Sequence, residues 1–323
     1  MKKTYLVTGA AGFIGSRVAS MLLERGDHVV GIDNLNDFYS QALKEDRLQE
    51  LLVWPTFQFH RVDIEHFSEV AALFEKYRFQ AVYNLAARAG VRYSLENPWV
   101  YMRTNADGTL NLLEAMRRNE VQKMVLASTS SLYAGLPLPF REDSPVNTPI
   151  SPYAASKKAA EVMAYTYHCQ YGIDVSVLRY FTVFGPAGRP DMAPYQFIEK
   201  VREGIPLTLF GDGTQTRDFT YVDDICRGTL LAERSLGYEI VNLGGGNTPV
   251  ALGDFLGWIE ELVGRKAMIE RRPSHPADMT ATQADISKAR RLLGWEPTVS
   301  TREGLERTVE WHLRSECSLR FAS

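Results

Sequence analysis

The stretch SPYAASKKAAE, residues 151 to 161, places a phenol and an ammonium four positions apart. On a helix this spacing stacks Tyr153 and Lys157 on one face. A free tyrosine holds its proton to about pH 10, so bringing it to about 7 needs roughly 4 kcal/mol of preference for the phenolate. A cation at about 4 Å supplies roughly that much at an effective dielectric of about 20. Lys157 is such a cation, and the chemistry the pair suits is proton removal from an alcohol. Further hydroxyls stand in Ser128-Thr129-Ser130-Ser131, at the end of a strand expected over Val121 to Ala127. A hydroxyl there either satisfies the backbone or bridges a substrate alcohol and Tyr153, and the residues alone leave both readings open.

The elements that must hold this pair begin at the N-terminus. TYLVTGAAGFIGSRVASMLLERGDHVVGIDN reads as strand, glycine-rich turn, amphipathic helix and strand. Gly9, Gly12 and Gly15 let the backbone approach a pyrophosphate and pack helix on strand, with Phe13 and Ile14 opening the helix Phe13 to Glu24. Asp33 closes the second strand, where it would accept both adenosine ribose hydroxyls and repel a 2′-phosphate, which favours NAD over NADP. An oxidised nicotinamide would then be a second cation near Tyr153. A strand over Phe57 to Val62 ends on Asp63, a position suited to the adenine edge, and a helix follows over Phe67 to Tyr77. The strand Ala81 to Leu85 runs into Ala86 and Ala87, small enough for a cofactor ribose. These alternations predict an α/β fold, a Rossmann-type doubly wound parallel sheet.

Asn97 is expected to cap a long helix that starts at Pro98 and runs to roughly Arg118. Its apolar positions Val100, Leu110, Leu112, Leu113 and Met116 exceed what one face of a sheet needs, which suggests a homodimer through a helix bundle that includes the Tyr153 helix. After a sixth strand, Val175 to Tyr180, the elements shorten. A helix at Tyr195 to Arg202, a strand at Leu207 to Phe210, a turn around Asp212 and a helix capped by Asp223 or Asp224 precede a strand at Glu239 to Leu243. A helix at Leu252 to Val263, a strand at Ala267 to Glu270 and helices at Ile286 to Leu293 and Arg302 to Leu313 complete the chain. The expected division is 1–180 for NAD and 181–323 for a smaller mixed α/β substrate domain, with parts of the later chain interleaved.

The composition narrows the class. The chain has 323 residues, 45% of them hydrophobic, and a formal charge of −3, enough to bury a large core, with no basic run for nucleic acid. Cys169, Cys226 and Cys317 lack metal-site spacing and disulfide density, so a reducing, cytoplasmic setting is expected. No stretch reads as a signal peptide or membrane span, and no metal site is expected.

Together TGAAGFIG, the strand-end hydroxyls, YAASK, RYFTVFGP, RDFTYVDD and HPADMTATQADISKARRLLGW resemble the nucleotide-sugar branch of the extended short-chain dehydrogenases/reductases. The resemblance implies NAD as cofactor and a UDP-sugar as substrate. It puts Thr129 on the family's catalytic serine/threonine position, with Ser128 and Ser130 as neighbours. Its cofactor contacts fall on Gly9, Gly12, Phe13, Ile14, Gly15, Asp33, Asn34, Asp63, Ile64, Leu85, Ala86, Ala87, Tyr153, Lys157 and Tyr180. Substrate contacts fall on Arg88, Arg92, Thr182, Arg189, Arg217 and Asp278. Arg217 implies a pyrophosphate partner and Asp278 an acceptor for the uridine ribose hydroxyls.

Dehydratases and decarboxylases of this family carry acids where this chain has Ser130 and Ser131, so the resemblance implies an epimerase, an isomerase that removes and returns one hydride. AGVR, DNLNDFY and GRPDM are similar to UDP-glucuronate 4-epimerases, which implies conversion of UDP-glucuronate to UDP-galacturonate through a 4-keto sugar. UDP-glucose or UDP-N-acetylglucosamine epimerisation, and UDP-glucuronate decarboxylation, are the alternatives. A 4-keto glucuronate is a β-keto acid, and Arg189 is expected to hold its carboxylate by a bidentate contact, helped by Thr182, so that carbon dioxide is not lost.

Overall fold

The apolar runs that the sequence offers as strands are buried on both faces, as a parallel sheet between helices requires. The computed structural model describes residues 2–246, 248–273 and 278–314. Its strands begin with β1 (Thr4–Thr8), β2 (His28–Asp33), β3 (Phe57–Arg61), β4 (Ala81–Asn84), β5 (Lys123–Thr129) and β6 (Asp174–Tyr180). Shorter ones follow: β7 (Thr182–Phe184), β8 (Leu207–Phe210), β9 (Thr216–Arg217) and β10 (Phe219–Tyr221). The last are β11 (Tyr238–Leu243), β12 (Val250–Ala251) and β13 (Ile269–Arg272). Among the described residues, seven form one sheet in the order β11-β6-β5-β4-β1-β2-β3, every pair parallel. β4, β5 and β6 are buried throughout. Strand order reverses between β1 and β4, so the ligand crevice lies outside their carboxyl ends.

Successive residues serve opposite faces of the sheet. Val7, Tyr83 and Val125 join one core, whereas Leu6, Val82 and Met124 join the other. The first core continues into the pairs β7 with β10 and β8 with β13, both parallel, which carry the later chain. β11 returns from that later chain to the large sheet and pairs with β6 from Tyr238 to Leu243.

The helices are α1 (Phe13–Glu24), α2 (Gln41–Leu52), α3 (Phe67–Lys76), α4 (Val91–Glu96), α5 (Pro98–Tyr101) and α6 (Gly108–Arg118). Then come α7 (Pro152–Tyr171), α8 (Ala193–Glu203), α9 (Val222–Leu231), α10 (Leu252–Val263), α11 (Ser287–Leu293) and α12 (Thr301–Arg314). The rod expected from Pro98 to Arg118 is interrupted by a π-helical segment, Met102–Asp107. Asn97 precedes it without a side-chain cap, because its extended backbone also ends α4, a helix the sequence does not announce.

Leu112, Leu113 and Met116 do not form an outward face, since all three are buried in the core of their own sheet. The exposed apolar side chains here include Trp99, Met102, Val162 and Tyr165. Nor does Asp223 or Asp224 cap α9. Asp223 pairs with Arg17 of α1, and buried Asp224 accepts from the Thr298 and Val299 amides, pinning the chain that leads into α12. Cys317 and the His275–Ala277 portion of the C-terminal motif lie outside the described residues.

Candidate active site

The turn after β1 is shaped by contacts that leave no room for side chains. Gly9 has φ +67°, and a Cβ there would sit 2.9 Å from both the Cα and N of Ala86. A Cβ on Gly15 would run into the Gly9 carbonyl, and one on Gly12 would lie 3.0 Å from it. The turn therefore presses β1 against the end of β4 and brings α1 in with its amino end bare. Thr8 fastens the same junction, accepting from the amides of Leu85 and Ala86 at 3.1 and 2.9 Å.

Phe13 is buried at the start of α1 and Ile14 is half-buried. Asp33 accepts from the Ala11 and Leu35 amides, which fixes its carboxylate at the rim of the turn. Asn34 donates to Asp63 at 2.7 Å, and Asp63 also accepts from the Glu65 amide. Ile64 is buried beneath Gly108, so its side chain belongs to the core. Leu85 and Ala86 are half-buried and Ala87 is exposed along the crevice. A glycine cradle, a bare helix N-terminus and an acidic ribose acceptor fit an NAD pyrophosphate and adenosine ribose.

Helix α7 begins where the Ser151 hydroxyl accepts from the Ala154 amide and Pro152 takes a first-turn position, so Tyr153 and Lys157 stand on its first two turns. Lys157 is buried and donates to the Ala127 carbonyl of β5 at 3.0 Å. Burial brings its ammonium down to about 8, against the pull of Glu161. Burial likewise raises Tyr153 above the usual tyrosine value. The neighbouring Thr129 hydroxyl and the Arg189 guanidinium work against that rise, while Asp191 adds to it. Spacing alone assigns the opposing charge to Lys157; in the structure the Lys157 ammonium is on the Ala127 carbonyl, and the cation that acts on Tyr153 is Arg189, from 36 positions further along the chain.

The three neighbouring hydroxyls separate. Thr129 is the one beside Tyr153, and it also accepts from the Ser131 amide at 3.1 Å. Ser128 instead donates to Glu161 at 2.7 Å, in a buried network where Arg179 holds the same carboxylate by two bonds of 2.9 and 2.8 Å. Ser130 is buried at the start of a single 3-10 turn, Ser130–Tyr133. Tyr180 is also committed elsewhere: its buried hydroxyl pairs with Thr229 of α9 at 2.8 Å, so its phenol does not face the crevice.

Three of the expected substrate residues assemble. Arg92 of α4 meets Asp278 and lies over the Phe210 ring, and the charges of both Arg92 and Asp278 act on Arg217. Arg217 donates to the Thr216 carbonyl at 2.8 Å. Thr182 opens β7, half-buried, with its amide on the Asp218 carbonyl. Arg88 departs from this group: it reaches Asn36 at 3.3 Å and covers Phe38, on the Asp33 side of the crevice. Arg189 is neither free nor a solvated loop charge. Its Nε and Nη2 both donate to Asp191, so its side-on face is taken.

Residues 5–244 match the family described as the NAD dependent epimerase/dehydratase family. The chain belongs to that family. Among curated relatives it is 57% identical over 307 residues to a UDP-glucuronate 4-epimerase of Thermodesulfobacterium geofontis, covering 95% of each chain. It is 41% identical over 329 residues to UDP-glucuronate 4-epimerase 2 of Arabidopsis thaliana, covering 95% of this chain and 75% of that one. Among solved structures, UDP-glucuronic acid 4-epimerase from Bacillus cereus, in complex with UDP-glucuronic acid and NAD, superposes with a TM-score of 0.90 at 40% identity, covering 95% and 98%. UDP-glucose 4-epimerase from Thermotoga maritima, with UDP-glucose, gives 0.87 at 32% identity, covering 96% and 99%.

This epimerase/dehydratase family member also contains groups that spacing does not reveal. Asn105, buried in the π-helical segment, exchanges two backbone hydrogen bonds with Arg88 and donates to Ser156, whose hydroxyl donates to the Tyr153 carbonyl. It thus ties the loop after β4 to the Tyr153 turn, at a local widening of the helix. Its one sequence signal is a polar residue in the middle of an otherwise strong helix pattern. Arg47 of α2 is buried and bonds the carbonyls of Ala11, Ala187 and Gly188, joining the glycine turn to the segment that carries Arg189.

Proposed function

We propose that the protein is an NAD-dependent UDP-glucuronate 4-epimerase that interconverts UDP-glucuronate and UDP-galacturonate. What carries this reading is that the Thr129 hydroxyl and the Arg189 guanidinium both act on Tyr153, each favouring its phenolate. A base and its hydroxyl partner suit a sugar alcohol, and a cation beside them suits an acid on the neighbouring carbon. The likeness to named UDP-glucuronate 4-epimerases supports the same substrate. Ser130 and Ser131 at the strand end supply no carboxyl for the elimination or decarboxylation chemistry of related enzymes.

Tyr153 takes the proton of the carbon 4 hydroxyl, with Thr129 sharing the hydrogen bond. The glycine turn and Asp33 would hold NAD, which when bound would accept the carbon 4 hydride and give it back. Lys157, held against the Ala127 carbonyl, keeps a positive charge one helical turn from Tyr153. Arg217 and Arg92 take the pyrophosphate and Asp278 the uridine ribose. Arg189 and Thr182 hold the carboxylate while the 4-keto sugar turns its other face. Tyr153 then returns the proton.

The expected division into an NAD part, 1–180 with β11, and a substrate part from 181 onwards follows from these roles. We further propose a homodimer formed through the exposed side chains Trp99, Met102, Val162 and Tyr165, and a cytoplasmic setting, supported by the free thiols of Cys169 and Cys226. Among the described residues no helix is long and apolar enough to cross a membrane.

The test is a proton NMR time course with UDP-glucuronate and catalytic NAD. The anomeric signal of UDP-galacturonate is the expected result. A pentose signal as the main product would make the protein a decarboxylase, and an unchanged spectrum alongside turnover of UDP-glucose would make it a hexose epimerase. Light scattering at micromolar concentration tests the dimer, which a stable monomer would refute.

A further inference from the structure

Arg189 has five N–H groups in a rigid fork, and Asp191 occupies one face of it. Nε donates to Oδ1 at 3.0 Å and Nη2 donates to Oδ2. The face left open is the end-on edge, formed by Nη1 and the second hydrogen of Nη2. The backbone that carries this fork is fixed on both sides. Arg47 holds the carbonyls of Ala187 and Gly188 at 2.6 and 3.0 Å, and the Met192 amide donates to the Arg189 carbonyl at 3.1 Å just before α8 begins. The Asp191 carboxylate in turn lies against the loop after β4, where a Cβ on Gly90 would be 4.0 Å from Oδ2 and 3.5 Å from the Tyr101 hydroxyl. Both charges of the pair act on Tyr153, Arg189 stabilising its phenolate and Asp191 opposing it.

We propose that Asp191 is a positioning residue that decides which edge of Arg189 the sugar carboxylate meets, and thereby whether the 4-keto acid keeps that carboxylate. The inference rests on the reading of the protein as a UDP-glucuronate 4-epimerase. In the 4-keto acid, decarboxylation breaks the bond from carbon 5 to the carboxyl carbon. The electron pair passes into the carbon 4 carbonyl as an enolate, carbon dioxide leaves, and carbon 5 later takes a proton. This happens only when the breaking bond lies along the carbonyl π-system. A carboxylate held by two parallel N–H groups on a fork that is itself clamped cannot rotate its bond into that alignment. A fork released from Asp191 swings about its own side-chain torsions, and its grip no longer fixes the angle.

A merely structural aspartate would weaken everything together, and this proposal predicts a split. In Asp191→Asn the fork loses one charged acceptor. With UDP-glucuronate and NAD-loaded protein, the pentose share of the product should rise about tenfold or more, while KM stays within about twofold of wild type or falls, since a competing carboxylate has gone. The acidic limb of the kcat profile should move to lower pH, because removing a negative neighbour eases loss of the Tyr153 proton. Asp191→Glu, which keeps the charge, should return the limb and part of the product ratio. If wild type epimerises but Asp191→Asn leaves both product ratio and acidic limb unchanged, the proposal is overturned, whatever its effect on KM or melting. If wild type does not convert UDP-glucuronate at all, the reading of the function fails and the proposal falls with it.

Discussion

Arg92 meets Asp278 at 2.6 Å although 186 positions separate them in the chain. The contact runs from α4, after the fourth strand, to the segment beyond β13, and Arg92 lies 3.8 Å from the centroid of the Phe210 ring. On the proposed assignment, a diphosphate with its ribose would meet there a cation and an acceptor already oriented by each other. Asp278→Ala should therefore weaken UDP binding by about tenfold, about 1.4 kcal/mol, in titration calorimetry. Unchanged affinity would remove Asp278 from the nucleotide site.

Tyr153→Phe removes one oxygen and leaves the glycine turn, Asp33 and the Thr8 junction untouched. Turnover should fall on the order of 10³-fold, the range of a lost acid-base group. NAD binding, read by calorimetry, should persist. A rate near wild type would end the assignment of Tyr153 as base.

The separation of the strand-end hydroxyls gives a paired test. Thr129→Val should slow turnover about 10²-fold, whereas Ser128→Ala should leave it within about twofold and lower unfolding free energy by about 1 kcal/mol, because Glu161 keeps its two bonds to Arg179. Parallel kinetics and urea unfolding of both variants check this, and the reverse pattern would move the catalytic role to Ser128.

Lys157 makes stability depend on pH in a definite direction. Its folded value of about 8 lies below the ordinary 10.5. Between those values the unfolded chain binds more protons, so the contribution of this group improves as pH rises. Below about 8 both states hold the proton and the cost of burying the ammonium is felt in full. The stability of wild type relative to Lys157→Met, measured without NAD by urea unfolding, should therefore be flat below about pH 8 and rise towards pH 10. A difference that falls over that interval would contradict the depressed value.

What could be read beforehand was local. The glycine turn, the position of Asp33 at the end of β2 and the place of Tyr153 and Lys157 on successive turns of one helix depend on short spacings, and β8 and α10 are legible from Leu207 to Phe210 and from Leu252 to Val263 because their apolar periods are clean. What could not be read depends on partners far along the chain. Arg47 reaches Gly188 over 141 positions and Asp224 reaches Thr298 over 74. Leu112 and Met116 looked outward because a helix pattern shows how wide an apolar face is, not how much of the sheet lies beneath it. The π-helical segment around Asn105 escaped for a similar reason: its backbone is set by Arg88 and Ser156, which no window around residue 105 contains.

The position of β11 bears on how the molecule is made. The strand that completes the large sheet beside β6 ends at Leu243, long after the sixth strand has been synthesised. Until then the growing chain carries an open β6 edge, and the hydroxyl of Tyr133 and the carbonyl of Phe140 wait for Asn242. A fragment stopped near residue 180 would keep that edge exposed as a template for self-association. Anyone wishing to express this protein in two complementing pieces should cut after Leu243, where all seven strands of the large sheet are already present.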